Sequence, residues 1–134
     1  MKKLFWVTLL ATFISAESYA WDNICNVAGS YVRGTTAQIN ELAERTLANR
    51  TVEGSGRVRD VKSGGLASKF TAIVDCGNDV IVEVPTNSSN VSQNLQVGSP
   101  VSFSGIFNGI SRKRYVNTHE HYLHVYLNDY SSVW

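Results

Sequence analysis

Charge is scarce in this sequence and nearly balanced: Lys and Arg total 12 and Asp and Glu total 11, so charged residues fill only 17% of 134 positions. Proteins that bind nucleic acid non-specifically draw most of their affinity from a clear basic excess laid against phosphates, and this chain's excess is a single charge. Cysteine occurs only at Cys25 and Cys76, and the absence of a Cys-x-x-Cys pair excludes thiol redox catalysis. There is no Gly-x-Ser-x-Gly turn and no carboxylate pair at a recognisable spacing, so hydrolase chemistry has no visible machinery. The chain reads as a non-enzyme without a cofactor. Beyond residue 20 no apolar run is long enough to span a bilayer.

What is present begins with Lys2 and Lys3, an apolar run from Leu4 to Ala16, and the polar stretch Glu17-Ser18-Tyr19-Ala20. That order is a signal peptide, with Ser18 and Ala20 supplying the small residues around a cut that leaves Trp21 first. A retained membrane helix is the competing reading, disfavoured by the shortness of the run. No cysteine stands at the cut to carry a lipid. Cleavage removes Lys2, Lys3 and Glu17 and leaves ten basic against ten acidic residues, a formally neutral mature domain spanning 21–134. In the periplasm or outside the cell, Cys25 and Cys76 read as one disulfide, with two separately buried thiols as the competing reading. It closes a loop of about 50 residues, worth about 4 kcal/mol by chain entropy.

Ile39, Leu42, Ala43 and Leu47 fall on one helix face after a cap at Thr35 or Thr36, predicting a helix over about 35–49. From Thr51 to Val61 the period becomes two, with Val52, Gly54, Gly56 and Val58 on one side. The glycines permit the bend by which one strand serves two neighbours. Phe70–Cys76 and Asp79–Pro85 form a hairpin about Gly77-Asn78. The polar stretch from Thr86 to Gln96 reads as a short surface helix or coil. Strands Val101–Phe107 and Tyr122–Asn128 follow, separated by a long basic and aromatic loop from Asn108 to His121.

A helix, three strands in meander, a short connection and two more strands is the order of a mainly β fold, a five-stranded OB-fold barrel with an added N-terminal helix. Three stretches carry a resemblance: Leu47–Val61 (LANRTVEGSGRVRDV), Ala72–Cys76 (AIVDC) and Leu95–Gly105 (LQVGSPVSFSG). In these the chain resembles the tRNA-anti-like group of small exported bacterial OB-fold proteins over roughly Leu47 to Leu127. The resemblance implies the fold and carries no catalytic motif. The 108–121 loop and the histidine-rich last strand depart from it.

Arg112, Lys113, Arg114 and Tyr115 lie in the connection that OB-folds commonly lend to oligonucleotides or oligosaccharides, which makes them the first ligand-site candidates. Ordinary solvated surface is the competing reading. Arg57 and Arg59 extend the basic surface across the first hairpin. With Leu123, Val125 and Leu127 facing the core, Tyr122, His124 and Tyr126 form an outward stripe suited to sugar stacking or a protein interface; cover by the N-terminal helix is its alternative. The presumed outward residues of the second and third strands, Thr71, Ile73, Asp75, Ile81 and Glu83, include no aromatic on which a base would stack. His119 and His121 share one face of an extended segment and are weak metal candidates, against solvated loop histidines.

The expected function is a periplasmic or secreted, non-catalytic OB-fold binding module that recognises a protein or saccharide of the cell envelope. The alternatives are an exported nucleic-acid-binding protein, which the neutral mature charge disfavours, and a secreted toxin-type glycan-binding subunit.

Overall fold

The computed structural model describes residues 21–63, 68–87 and 94–134. The segment 1–20 expected to be a signal peptide, the expected turn at 64–65 and most of the polar 86–96 stretch lie outside the described residues.

Two short helices open the described chain. The first, α1 (Ile24–Gly29), is preceded by a two-residue strand, β1 (Asp22–Asn23), and was not visible in the sequence pattern. The second, α2 (Thr36–Glu41), starts at a capping box in which Thr35 Oγ1 accepts from the Gln38 amide and the Gln38 side chain accepts from the Thr35 amide. The predicted regular helix to residue 49 does not form: Leu42–Thr46 winds as a π-helical turn, with the Leu47 amide donating to the Leu42 carbonyl at 3.0 Å. In a regular α-helix Leu42 and Leu47 stand on different sides, contrary to the single face expected for them; the wider π-turn, closed from residue i to i+5, brings both to the buried side. Asn49, at φ 59°, ends the helical segment in the left-handed region that Asn tolerates.

The rest is mainly β: β2 (Thr51–Ser63), β3 (Phe70–Asp75), β4 (Val80–Thr86), β5 (Pro100–Arg114), β6 (His121–Leu127) and β7 (Ser132–Val133). Five strands pair in a ring. β2 runs antiparallel to β3, β3 to β4 and β6 to β5, while β4 and β6 are parallel. The first half of β5 returns to the first half of β2 and closes the circle, from Thr51 opposite Ile106 to Arg57 opposite Pro100. β2 and β5 are long because each serves two neighbours, and each carries an irregularity where it changes partner or bends, at Val58/Asp60 and at Phe107/Gly109.

Inside the ring, Val52, Val58, Val74, Val82, Phe103, Leu123 and Val125 form one apolar cluster with Ile24, Ala28, Leu42 and Leu47 of the helical segments. Gly54 and Gly56 sit where neighbouring groups leave no room for a side chain. A Cβ on Gly54 would lie 2.7 Å from the Phe103 ring and 2.9 Å from the Cys25 sulfur, and one on Gly56 would collide with the Asp75 carbonyl. Cys25 and Cys76 are bridged, tying α1 to the residue that follows β3. Among the described residues no helix is long and apolar enough to cross a membrane.

The largest correction concerns β5. Its sequence signal stops at Phe107, because Asn108 and Gly109 read as loop residues; the bulge there absorbs the extra residue and lets the strand resume through Arg114. The predicted 108–121 loop shrinks to a tight hairpin, in which the Tyr115 amide donates to the Glu120 carbonyl at 2.8 Å.

Candidate functional site

Because Arg112 and Lys113 are consecutive strand residues, their side chains diverge. Arg112 stands opposite Leu123, on the inner register, where its Nη2 donates to the Gly34 carbonyl of the segment before α2. Lys113 stands opposite Tyr122 on the outer face, and Arg114 opposite His121. The four residues read as one loop cluster are therefore distributed over two sides of the sheet.

On the outer face β6 presents Tyr122, His124 and Tyr126, with Leu123, Val125 and Leu127 inward and buried, as the alternation predicts. Tyr115 joins them to form a ladder of rings. Tyr115 and Tyr122 stack with centroids 4.5 Å apart, Tyr122 and His124 are tilted at 6.3 Å, and His124 and Tyr126 stack at 4.6 Å. The Tyr126 hydroxyl lies 3.3 Å from the Ser111 hydroxyl, and the Lys113 ammonium 6.0 Å from the Tyr126 ring centre. Stacking thus takes one face of each ring in two pairs, Tyr115 on Tyr122 and His124 on Tyr126, and the pairs meet at the tilted Tyr122–His124 contact.

His124 also meets Glu83 of β4, its Nε2 lying 2.5 Å from Oε2. The carboxylate stands within ion-pair distance of Nε2, a contact that becomes ionic only when the ring is protonated, and Nδ1 has no hydrogen-bond partner. Burial pushes the imidazole below its usual pKa; Glu83 pulls it up, and the more distant Lys113 and Lys62 push it down.

The bulge in β2 sets two consecutive side chains, Arg59 and Asp60, between the inward-facing Val58 and Val61. Arg59 is thereby delivered to a cleft of about 570 Å³ under the β5–β6 hairpin, lined also by Asp79, Arg114, Tyr115, Val116, Asn117, Thr118, Glu120 and Tyr122. Asp79 adopts φ 64° in the β3–β4 turn, and its Oδ1 accepts from the Tyr115 hydroxyl at 3.4 Å. Burial and the Asp79 charge raise the pKa of Tyr115 and keep that proton in place. A second cleft of about 350 Å³, lined by Val32, Arg33, Gly34, Asp79, Arg112, Glu120 and His121, shares Asp79 and Glu120 with the first.

Arg57 does not join this group. Its Nη1 donates to the Gly98 carbonyl at 2.9 Å, and it lines a separate cleft of about 670 Å³ beside the disulfide, with Asp75, Ser55, Ser102 and Trp134. That cleft is larger, but it gathers one cation, one carboxylate and one indole over a floor of small residues. The convergence of ionic and aromatic groups is at the hairpin. His119 sits in the hairpin turn at φ 60°, while His121 starts β6 with its Nε2 3.5 Å from Arg114 Nη2, a cation where a metal ion would have to stand. The described residues contain no group of three or more side chains able to hold a metal.

Asp79, Arg33 and the cleft role of Glu120 escaped the sequence pattern, because turn and loop positions acquire neighbours only through the ring closure. The bulge that aims Arg59 likewise leaves no periodicity signal. No protein-family model matches the chain, and no curated protein matches it.

Proposed function

We propose that the protein is an exported, non-catalytic OB-fold binding module of the tRNA-anti-like kind that holds a saccharide of the cell envelope between the β5–β6 hairpin and the β3–β4 turn. The strand order β2-β3-β4-β6-β5 with return to β2, and the parallel β4–β6 pair, support the OB-fold part of this reading. The disulfide supports export.

The observation that carries the ligand class is the composition of the tyrosine cleft. Two guanidinium groups, Arg59 and Arg114, face two carboxylates, Asp79 and Glu120, around amide and hydroxyl side chains and the end of a tyrosine stack. A sugar hydroxyl both donates and accepts, so a cleft of balanced donors and acceptors beside an aromatic face suits a polyhydroxylated ring. A nucleic acid strand is a poorer occupant. Its bases need separate open aromatic faces, whereas these rings stack on each other, and the carboxylates oppose phosphate.

The test is a glycan and oligonucleotide binding screen of the mature protein, with a variant carrying Arg114→Ser and Tyr115→Ala. The expected result is saccharide binding of weak salt dependence that the variant loses by roughly tenfold or more. Binding of oligonucleotides alone, with a steep salt slope, overturns the proposal.

A further inference from the structure

The Arg112 guanidinium is partly withdrawn from water without an ion-pair partner among the described residues. Its Nη2 is engaged by the neutral Gly34 carbonyl, its Nε is buried with no partner, and no carboxylate stands within ion-pair distance of it among the described residues. A sheltered, unpaired cation is costly, and the cost falls when an anion arrives. The space beside it is the smaller cleft, where Arg33 provides a second guanidinium and His121 an imidazole, also without an ion pair among the described residues.

Resting on the saccharide reading, we infer that this smaller cleft is the acidic subsite of the same ligand: Arg112 and Arg33 take the carboxylate of a uronic-acid unit whose neighbouring sugar occupies the tyrosine cleft. Three observations support this. The clefts share Asp79 and Glu120, so adjacent units of one chain fit across them. The planar fork of an arginine matches a carboxylate in two parallel hydrogen bonds. The same wall carboxylates disfavour a dianion such as phosphate, whose second charge would stand against Asp79 and Glu120 with too few cations to offset it.

The test uses amide and arginine side-chain NMR of the mature protein, titrated separately with methyl glucuronide, methyl glucoside and inorganic phosphate. The glucuronide is expected to move the Arg112 Nε signal and the amides of Gly34 and His121 at a concentration at least tenfold below that needed by the glucoside or phosphate, while both sugars move Tyr115 and Tyr122. Arg112→Gln is expected to remove the difference between the two sugars, and Arg112→Lys, which keeps the charge and loses the fork, to weaken the glucuronide response by roughly tenfold. Equal responses to glucuronide and glucoside, or an equal response to phosphate, overturn the acidic subsite and leave the saccharide reading standing. Silence of both clefts toward both sugars tells against the saccharide reading itself. Should Arg112→Gln fail to give a dispersed folded spectrum, Arg112→Lys alone decides: an undiminished glucuronide response in it overturns the assignment.

Discussion

His124 occupies the middle of the ring ladder with its side chain only 13% exposed, and that position favours the neutral imidazole. Burial outweighs the attraction of Glu83, so the folded pKa lies below the unfolded value of about 6.5. The unfolded chain then binds the proton more readily, and stability falls as pH drops through about 6.5 toward the folded pKa. NMR titration of the His124 ring should give a midpoint below 6.5, and thermal unfolding followed from pH 7.5 to 5 should show wild type losing more stability than His124→Asn. A midpoint above 6.5 would mean that Glu83 dominates and that the ladder is held by an ion pair. The outward placement of Tyr122, His124 and Tyr126 was legible from strict alternation in β6. Their stacking on Tyr115 was not, because it depends on a hairpin closed by two backbone contacts at Tyr115.

Strands are where the sequence spoke most clearly and where it stopped short. β2, β3, β4 and β6 announce themselves by alternation or apolar runs, and their bounds differ from the expected ones by a residue or two. β5 continued past its signal because a bulge hides as a polar pair followed by an isoleucine, Asn108-Gly109-Ile110, and α1 is too short to show a period. The glycines of β2 do more than permit a bend: at Gly56 the neighbouring strand's carbonyl fills the place of a side chain. Gly56→Ala should cost about 1–3 kcal/mol, as overpacking does, measured as a lower midpoint in denaturant unfolding. An unchanged midpoint would show that β2 and β3 separate there without penalty.

At the level of the whole molecule, the sequence disclosed a mainly β chain with one bridge and no net charge over residues 21–134. It offered part of the candidate site, Arg59 and the Arg112 to Tyr122 region, and missed Arg33 and Asp79, because the clefts are assembled from Arg33 before α2, Arg59 in a bulge, Asp79 in a turn and Arg112 to Tyr122 at a hairpin, which only ring closure brings together. Single-sequence patterns register neighbours along a strand or helix, and none of these residues is such a neighbour of another group's. The central claim, that ligand lies between the β5–β6 hairpin and the β3–β4 turn, is tested most directly by hydrogen–deuterium exchange of the mature protein with and without the saccharide that binds best in the screen. The account predicts added protection confined to the backbone around Arg59, Gly77–Val80 and Arg112–Tyr122; protection centred instead on Ser55–Arg57 and Ser102 beside Trp134, or none anywhere at saturating saccharide, would contradict it.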